Sequence, residues 1–348
     1  MLNQNAKLNN DLFAKEKVPM KATRDGYGEG MVLAGREDKN VVALCADLTD
    51  STRVITFKKE FPDRFIEVGV AEQNMASIAA GMAVSGKVPF ISTYAVFCPG
   101  RNWDQVRVNI CYNNANVKLT GAHSGVSVGP DGATHQALED IAITRCLPNM
   151  IVLAPCDALE TRKATYAAAK IYGPVYLRFA REKTANFTTE ETPFEIGKAE
   201  ILWDSSFGCA ISNLDVARPN MPQVAIIACG PLVYKSLIAA KELEEEGIHT
   251  IIINNHTIKP MDEKTVIEAA KKCGAVVTVE DHQIMGGMGS AVAEVLSKNY
   301  PVPQEFIGMP NSFGESGEPE ELLEKYGMGV SHIKEAVKKV IKRKRSRF

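Results

Sequence analysis

An α/β fold, arranged as two doubly wound α/β domains, is predicted by three features of this 348-residue sequence. Short apolar runs alternate with stretches of helical length from about residue 24 to 181. These runs are continuous rather than alternating, which marks strands of a parallel sheet covered on both faces. The alternation stops over residues 182–222, which are rich in Thr, Glu, Ser, Asn and Pro, and then resumes. The chain therefore divides into an N-terminal arm (1–20), a first domain (21–185), a linker with an irregular insertion (186–222) and a smaller second domain (223–348).

In the first domain the strands are expected at NVVALCAD (40–47), RFIEVGV (64–70), KVPFIST (87–93), NVKLTGA (116–122), NMIVLAP (149–155) and PVYLRF (174–179). Helices are expected between them at 22–38, 51–61, 71–86, 103–114, 135–147 and 157–173. The helix beginning near Glu72 carries apolar spacing at Met75, Ile78, Ala79 and Met82, which gives it one buried face. Within the linker only GKAEILW (197–203) reads as a strand. The second domain repeats the pattern, with strands at 223–231, 249–254 and 275–281 and helices at 234–248, 262–274 and 286–301.

Apolar residues at 45% and charged residues at 24% are ordinary for a globular protein. A formal net charge of −2 argues against a general nucleic-acid-binding surface. The basic run KKVIKRKRSRF at the end reads as the solvated end of a last helix. No apolar run approaches the roughly 20 residues a spanning helix needs, so no membrane role is expected. The eight cysteines include no C-x-x-C pair. Several sit in apolar runs, where they read as reduced core residues, which points to the cytoplasm.

Several residues carry chemistry worth weighing. Glu72 stands where a strand hands over to a nearly uncharged helix. It is either an ordinary first-turn acid meeting the helix dipole or a buried acid with a proton to hold. Its position follows the carboxyl end of a parallel strand, where open α/β sheets bind ligands. Tyr94 and Phe97 follow the next strand and are either core or a stacking surface for a flat ring. The loop TGAHSGVSVGPDGATHQALED places His123, Asp131 and His135 together, a polar set suited to a hydroxylated or anionic substrate. Arg24 and Arg181 open and close the first domain's pattern. GYGEG (26–30) has no strand before it, which excludes a dinucleotide fingerprint; GGMG (286–289) is a turn or anion-site signal.

RFIEVGVAEQNMASIAAGMA, VPFISTYAVF, WDQVR, GVSVGPDGATHQALEDIA and TVEDHQIMGGMGSAV together resemble the second half of transketolase, in order, from about Lys21 to about Gly329. The resemblance implies a thiamine-diphosphate pyrimidine-binding domain followed by a transketolase C-terminal domain. The family's G-D-G motif, which holds the diphosphate and its Mg2+ or similar ion, is missing from the sequence. The resemblance therefore implies the C-terminal subunit of a split enzyme, active only with an N-terminal partner subunit and assembled as a dimer of heterodimers.

By position, Glu72 matches the catalytic glutamate that hydrogen-bonds a pyrimidine ring nitrogen. Tyr94 and Phe97 match aromatics stacked on that ring, and Asp47 matches an acid near the cofactor. Arg24, Ser51, His123 and Arg181 match positions holding a sugar phosphate. Asp131 and His135 match contacts to substrate hydroxyls, with His135 also a catalytic candidate; no metal ligand is assigned to this chain. The implied reaction moves a two-carbon ketol unit from a ketose phosphate to an aldose phosphate, as in the pentose phosphate pathway. The alternatives are the equivalent subunit of a deoxyxylulose-phosphate-synthase-like or 2-oxo-acid dehydrogenase enzyme, or a non-catalytic regulatory half. Two stretches depart from the family: CPGR (98–101), which leaves Arg101 without an assigned role, and the longer segment at 203–222.

Overall fold

The structure, a computed structural model, describes residues 1–14, 16–207 and 221–346. Its strands are β1 (Met20–Ala22), β2 (Val41–Cys45), β3 (Phe65–Glu67), β4 (Val88–Tyr94), β5 (Lys118–Ala122), β6 (Ile151–Leu153), β7 (Val175–Arg178), β8 (Lys183–Ala185), β9 (Glu200–Asp204), β10 (Val224–Ala228), β11 (Thr250–Asn254), β12 (Thr257–Lys259), β13 (Val276–Gln283) and β14 (Gln304–Met309). The first sheet has the order β12-β6-β7-β5-β4-β2-β3, and the second β14-β13-β10-β11-β9. Strands β2 to β7 are parallel, as are β14, β13, β10 and β11. The α/β class with two sheet-based domains is therefore present. The strand runs lie where predicted: β2 and β5 are buried at every residue, Lys118 and Thr120 included.

Two strands depart from the expected division. β9 lies inside the segment read as linker, yet it pairs antiparallel with β11 and closes one edge of the second sheet. Leu202 and Trp203 are buried there. The N-terminal arm covers that edge in turn, with Asn3 N–H donating to Leu202 O at 2.9 Å and Asn3 Nδ2 to Ile201 O at 2.7 Å. A covered edge offers no free ladder to another chain. β12 leaves the second domain and pairs antiparallel with β6 of the first sheet. Of the insertion expected at 203–222, residues 208–220 lie outside the described residues.

The helix after β3 is Glu72–Val84, and its buried residues are Glu72, Met75, Ala76, Ala79 and Ala80. Ile78 and Met82, expected on that face, are only partly buried. The helix expected over 135–147 shrinks to Asp140–Arg145. Gln136 is held in the preceding loop instead, its Nε2 donating to Val126 O, Gly129 O and Glu315 O.

The glycine motifs are both structural. Helix Thr23–Glu37 lies against helix Ala158–Lys170, and a Cβ on Gly26 would stand 1.8 Å from Ala158 O. GYGEG thus lets two helices approach. A strand does precede it, correcting the expectation, but β1 belongs to a separate antiparallel ribbon with β8. At the start of helix Met288–Asn299 the anion position is filled by the chain's own Glu280, which accepts Met288 N–H at 2.7 Å and Gly289 N–H at 2.8 Å. Burial pushes the Glu280 carboxyl up to about 7.

The basic run ends the last helix, Val330–Arg345, with Lys342, Arg343 and Arg345 exposed as expected. Ile333, Val337 and Val340 are buried, and Lys334, Lys338 and Lys339 pair with Glu242, Glu246 and Glu305. Exposed pairs of this kind contribute little singly, so the apolar face holds the helix.

Candidate active site

Most of the residues singled out in the first domain leave the sheet at the carboxyl end of a parallel strand. Asp47 follows β2, Glu72 follows β3, Tyr94 ends β4, His123 follows β5 and Arg181 follows β7. β7, β5, β4, β2 and β3 are neighbours in that order, so one rim of the sheet gathers them.

Glu72 begins its helix with only 2% of its surface exposed. A buried carboxylate requires a partner, and the partner here is Arg101, whose Nη1 lies 2.9 Å from Oε2 and 3.1 Å from Oε1. Asn102 Nδ2 donates to the Glu72 backbone carbonyl at 3.3 Å and ties the two segments together. The Arg101 guanidinium lies over Phe97, with Cζ 4.4 Å from the ring centroid. Phe97 and Tyr94 are near-parallel, with centroids 6.0 Å apart and 15° between planes. His135 meets Phe97 edge-on at 5.7 Å, and His123 lies 4.0 Å from the Tyr94 ring. Glu72, Tyr94, Phe97, His123 and His135 therefore form one continuous surface.

The cationic side of this surface is equally defined. Arg24 Nη1 donates to Ser51 O at 3.1 Å and lies 3.3 Å from His123 Nε2. A guanidinium only donates, so Nε2 accepts and the imidazole proton sits on Nδ1. Burial, reinforced by the Arg24, Arg181 and Arg53 charges, pushes His123 down to about 3, so the ring is neutral at physiological pH. His123 Nδ1 and Arg24 Nε are both buried donors without a hydrogen-bond partner among the described residues. Two orphaned donors on side chains that touch suit an acceptor-rich, anionic group. Arg181 Nη1 holds Val128 O at 3.0 Å and lies 3.6 Å from Asp131. Ser51 reaches the cluster through its backbone carbonyl. Asp47 stays apart: its side chain is exposed, and only its backbone N–H is engaged, donating to Glu67.

Sequence reasoning missed the brace behind the histidine loop. Asp281, on β13 of the second domain, accepts Val126 N–H at 2.8 Å and Ser127 Oγ–H at 2.6 Å. Arg178, at the end of β7, donates to Asp140 Oδ2 at 2.9 Å and to Asp281 O at 2.6 Å. Tyr176 Oη–H also donates to Asp140 Oδ2, at 2.8 Å. His282 Nε2 accepts Ile141 N–H at 3.2 Å, and burial pushes this ring down to about 4. The second domain thus holds the loop that carries Asp131. The only sequence signal was the acid pair Glu280–Asp281 at a strand's end, within TVEDH.

The buried acid, the near-parallel aromatics and the orphaned donors suit one flat heteroaromatic group and one anion at the same rim. Glu72 with Tyr94 and Phe97 has the chemistry to receive an aminopyrimidine, so the residues fit thiamine diphosphate on its ring side. Among the described residues, no group of three or more His, Cys, Asp or Glu side chains is arranged to hold a metal ion. Fold and site accord with the pyrimidine-binding domain and C-terminal domain that the sequence resemblance implies.

Residues 19–186 match the family description "Transketolase, pyrimidine binding domain" and residues 213–333 match "Transketolase, C-terminal domain". A protein of Methanocaldococcus jannaschii named as a transketolase C-terminal section is 42% identical over 326 residues, covering 93% of this chain and 97% of that protein. The 6-deoxy-6-sulfo-D-fructose transketolase subunit of a Clostridium species is 38% identical, covering 93% and 96%. A solved structure described as a split gene transketolase, inactive beta4 tetramer, is 42% identical with a TM-score of 0.82, covering 93% of this chain and 99% of that one. The chain belongs to the transketolase family, and it is a C-terminal subunit of the split type.

Proposed function

We propose that this subunit, joined to an N-terminal subunit carrying the diphosphate and Mg2+ site, transfers a two-carbon ketol unit between sugars that end in a tetrahedral anion. The observation that carries the reading is the pair of orphaned buried donors, Arg24 Nε and His123 Nδ1, on the same rim as Glu72, Tyr94 and Phe97. Thiamine diphosphate supplies the nucleophilic carbon when bound. Glu72 holds a proton at the pyrimidine ring nitrogen, and Tyr94 and Phe97 set the plane of that ring. Arg24, His123 and Arg181 take the anionic end of the sugar, while Asp131 and His135 orient its hydroxyls. His135 would also move a proton at the reacting carbonyl.

A sugar phosphate of the pentose phosphate pathway fits this anion site. The Clostridium relative is named for a sulfonated sugar, and a sulfonate offers the same tetrahedral oxygens. A dimer of heterodimers follows from a cofactor shared between two chains. The seven described cysteines are free and no helix among the described residues is long and apolar enough to cross a membrane, which accords with the cytoplasm.

The test compares sugar phosphate, sulfo-sugar and unphosphorylated sugar as acceptors in the assembled enzyme. Arg24→Ala is expected to raise KM for the anionic acceptors about 10–100-fold, the range of a charged hydrogen bond of about 1.5–3 kcal/mol. KM for the neutral sugar should hardly move. Equal losses for charged and neutral acceptors would refute the anion assignment.

A further inference from the structure

Arg101 is the residue that the proposed site does not absorb. It lies between Phe97 and Glu72 and makes two contacts. Its Nη1 bridges both carboxylate oxygens of Glu72 at 2.9 and 3.1 Å. Its planar group covers the Phe97 ring at 4.4 Å. A flat, N–H-bearing cation thus gives the acid a donor and the aromatic a stacking partner. Those are the same two contacts an aminopyrimidine would claim.

The exposures distinguish the fixed side from the movable one. Glu72 is 2% exposed, whereas the Arg101 side chain is 43% exposed. The carboxylate is fixed in the helix start, and the arginine reaches it from the rim along the short segment Phe97–Asn102. Glu72 has no other charged partner within ion-pair distance among the described residues. Without Arg101 its carboxylate would be buried and uncompensated, a costly arrangement. The guanidinium never accepts a hydrogen bond. While it bridges both oxygens, it occupies the carboxylate edge to which a protonated ring nitrogen would donate.

We infer that Arg101 is a displaceable stand-in for the cofactor's pyrimidine: it holds the Glu72 carboxylate and the Phe97 face until thiamine diphosphate replaces it. This rests on the pyrimidine-binding role proposed above. It makes Arg101 a positioning residue that keeps Glu72 oriented and compensated in the empty subunit, at a cost in apparent affinity. A cofactor that must first free its site binds more weakly by the fraction of molecules in which the site is free.

The test is calorimetric titration of thiamine diphosphate into this chain alone and into its complex with the N-terminal subunit. Arg101→Ala is expected to tighten binding about tenfold, as when the free form is about a tenth of the population. Arg101→Gln, which keeps length and a donor but loses the charge, guards against misfolding of the Ala variant. In a Glu72→Gln background the gain from Arg101→Ala should largely vanish, because the two residues act as a pair. Unchanged or weaker binding by both Arg101 variants overturns the inference, as does an equal gain with and without Glu72. The wild-type complex separates the two levels. If it binds cofactor and transfers ketol while the variants gain nothing, only the role of Arg101 falls; if it does neither, the proposed function falls.

Discussion

Glu72→Gln is expected to lower ketol transfer by the assembled enzyme about 10²–10⁴-fold, the range contributed by a positioned proton-transfer group. The fold should survive. Gln fits the same space at the helix start, and Arg101, being 43% exposed, can turn to water once its carboxylate is gone. The variant should therefore melt near the wild-type temperature and still join its partner. The loss should appear in kcat, because the role proposed for the acid is on the bound cofactor rather than on the sugar. A variant with near-normal kcat would remove Glu72 from the chemistry and leave it as a first-turn helix acid, the plainer of the two readings its position allows.

The second large effect is on stability. Arg178 is 4% exposed and Asp140 1%, and their pair joins the first domain's sheet to Asp281 of the second domain. Asp140→Ala leaves the guanidinium and the Tyr176 hydroxyl buried without their shared acceptor. Removing one partner of such a pair costs about 3–5 kcal/mol. The double variant Asp140→Leu with Arg178→Met should lose less than Asp140→Ala alone, because neither charge is then stranded. Denaturant unfolding of the three proteins checks this. A single variant as stable as wild type would mean that the domains are held by apolar packing and that the network adds nothing.

The parts legible in the sequence are those with a local signal. A continuous apolar run such as NVVALCAD announces a buried parallel strand, because both of its faces are covered. Glu72 follows RFIEVGV and His123 follows NVKLTGA, so the sequence order alone places both at strand ends. β12 has three residues, and its pairing with β6 crosses from one domain to the other, so nothing local specifies it. β9 reads as a strand but falls within a linker by composition, since its sheet is defined by β11, far along the chain. Asp281 and Arg178 act on residues more than a hundred positions away, which no spacing reveals. Asp47 shows the opposite failure. It matches a family position, yet its exposed side chain is not drawn into the cluster.

The helix at 135–147 illustrates how a tertiary demand overrides a periodic pattern. Its first turn is consumed by Gln136, which satisfies three carbonyls, one of them in the second domain. The same contact helps to seat the His123–His135 loop, so the shortened helix is part of the site's construction rather than a flaw in it.

If the site is shared as proposed, one half should do nothing without the other half. Ketol transfer is therefore to be measured for this chain, for an N-terminal subunit containing G-D-G and for their mixture, each with thiamine diphosphate, Mg2+ and an anionic sugar pair. Transfer is expected in the mixture and from neither chain alone. Transfer by this chain alone at the mixture's rate, or no transfer in the mixture, would overturn the shared site.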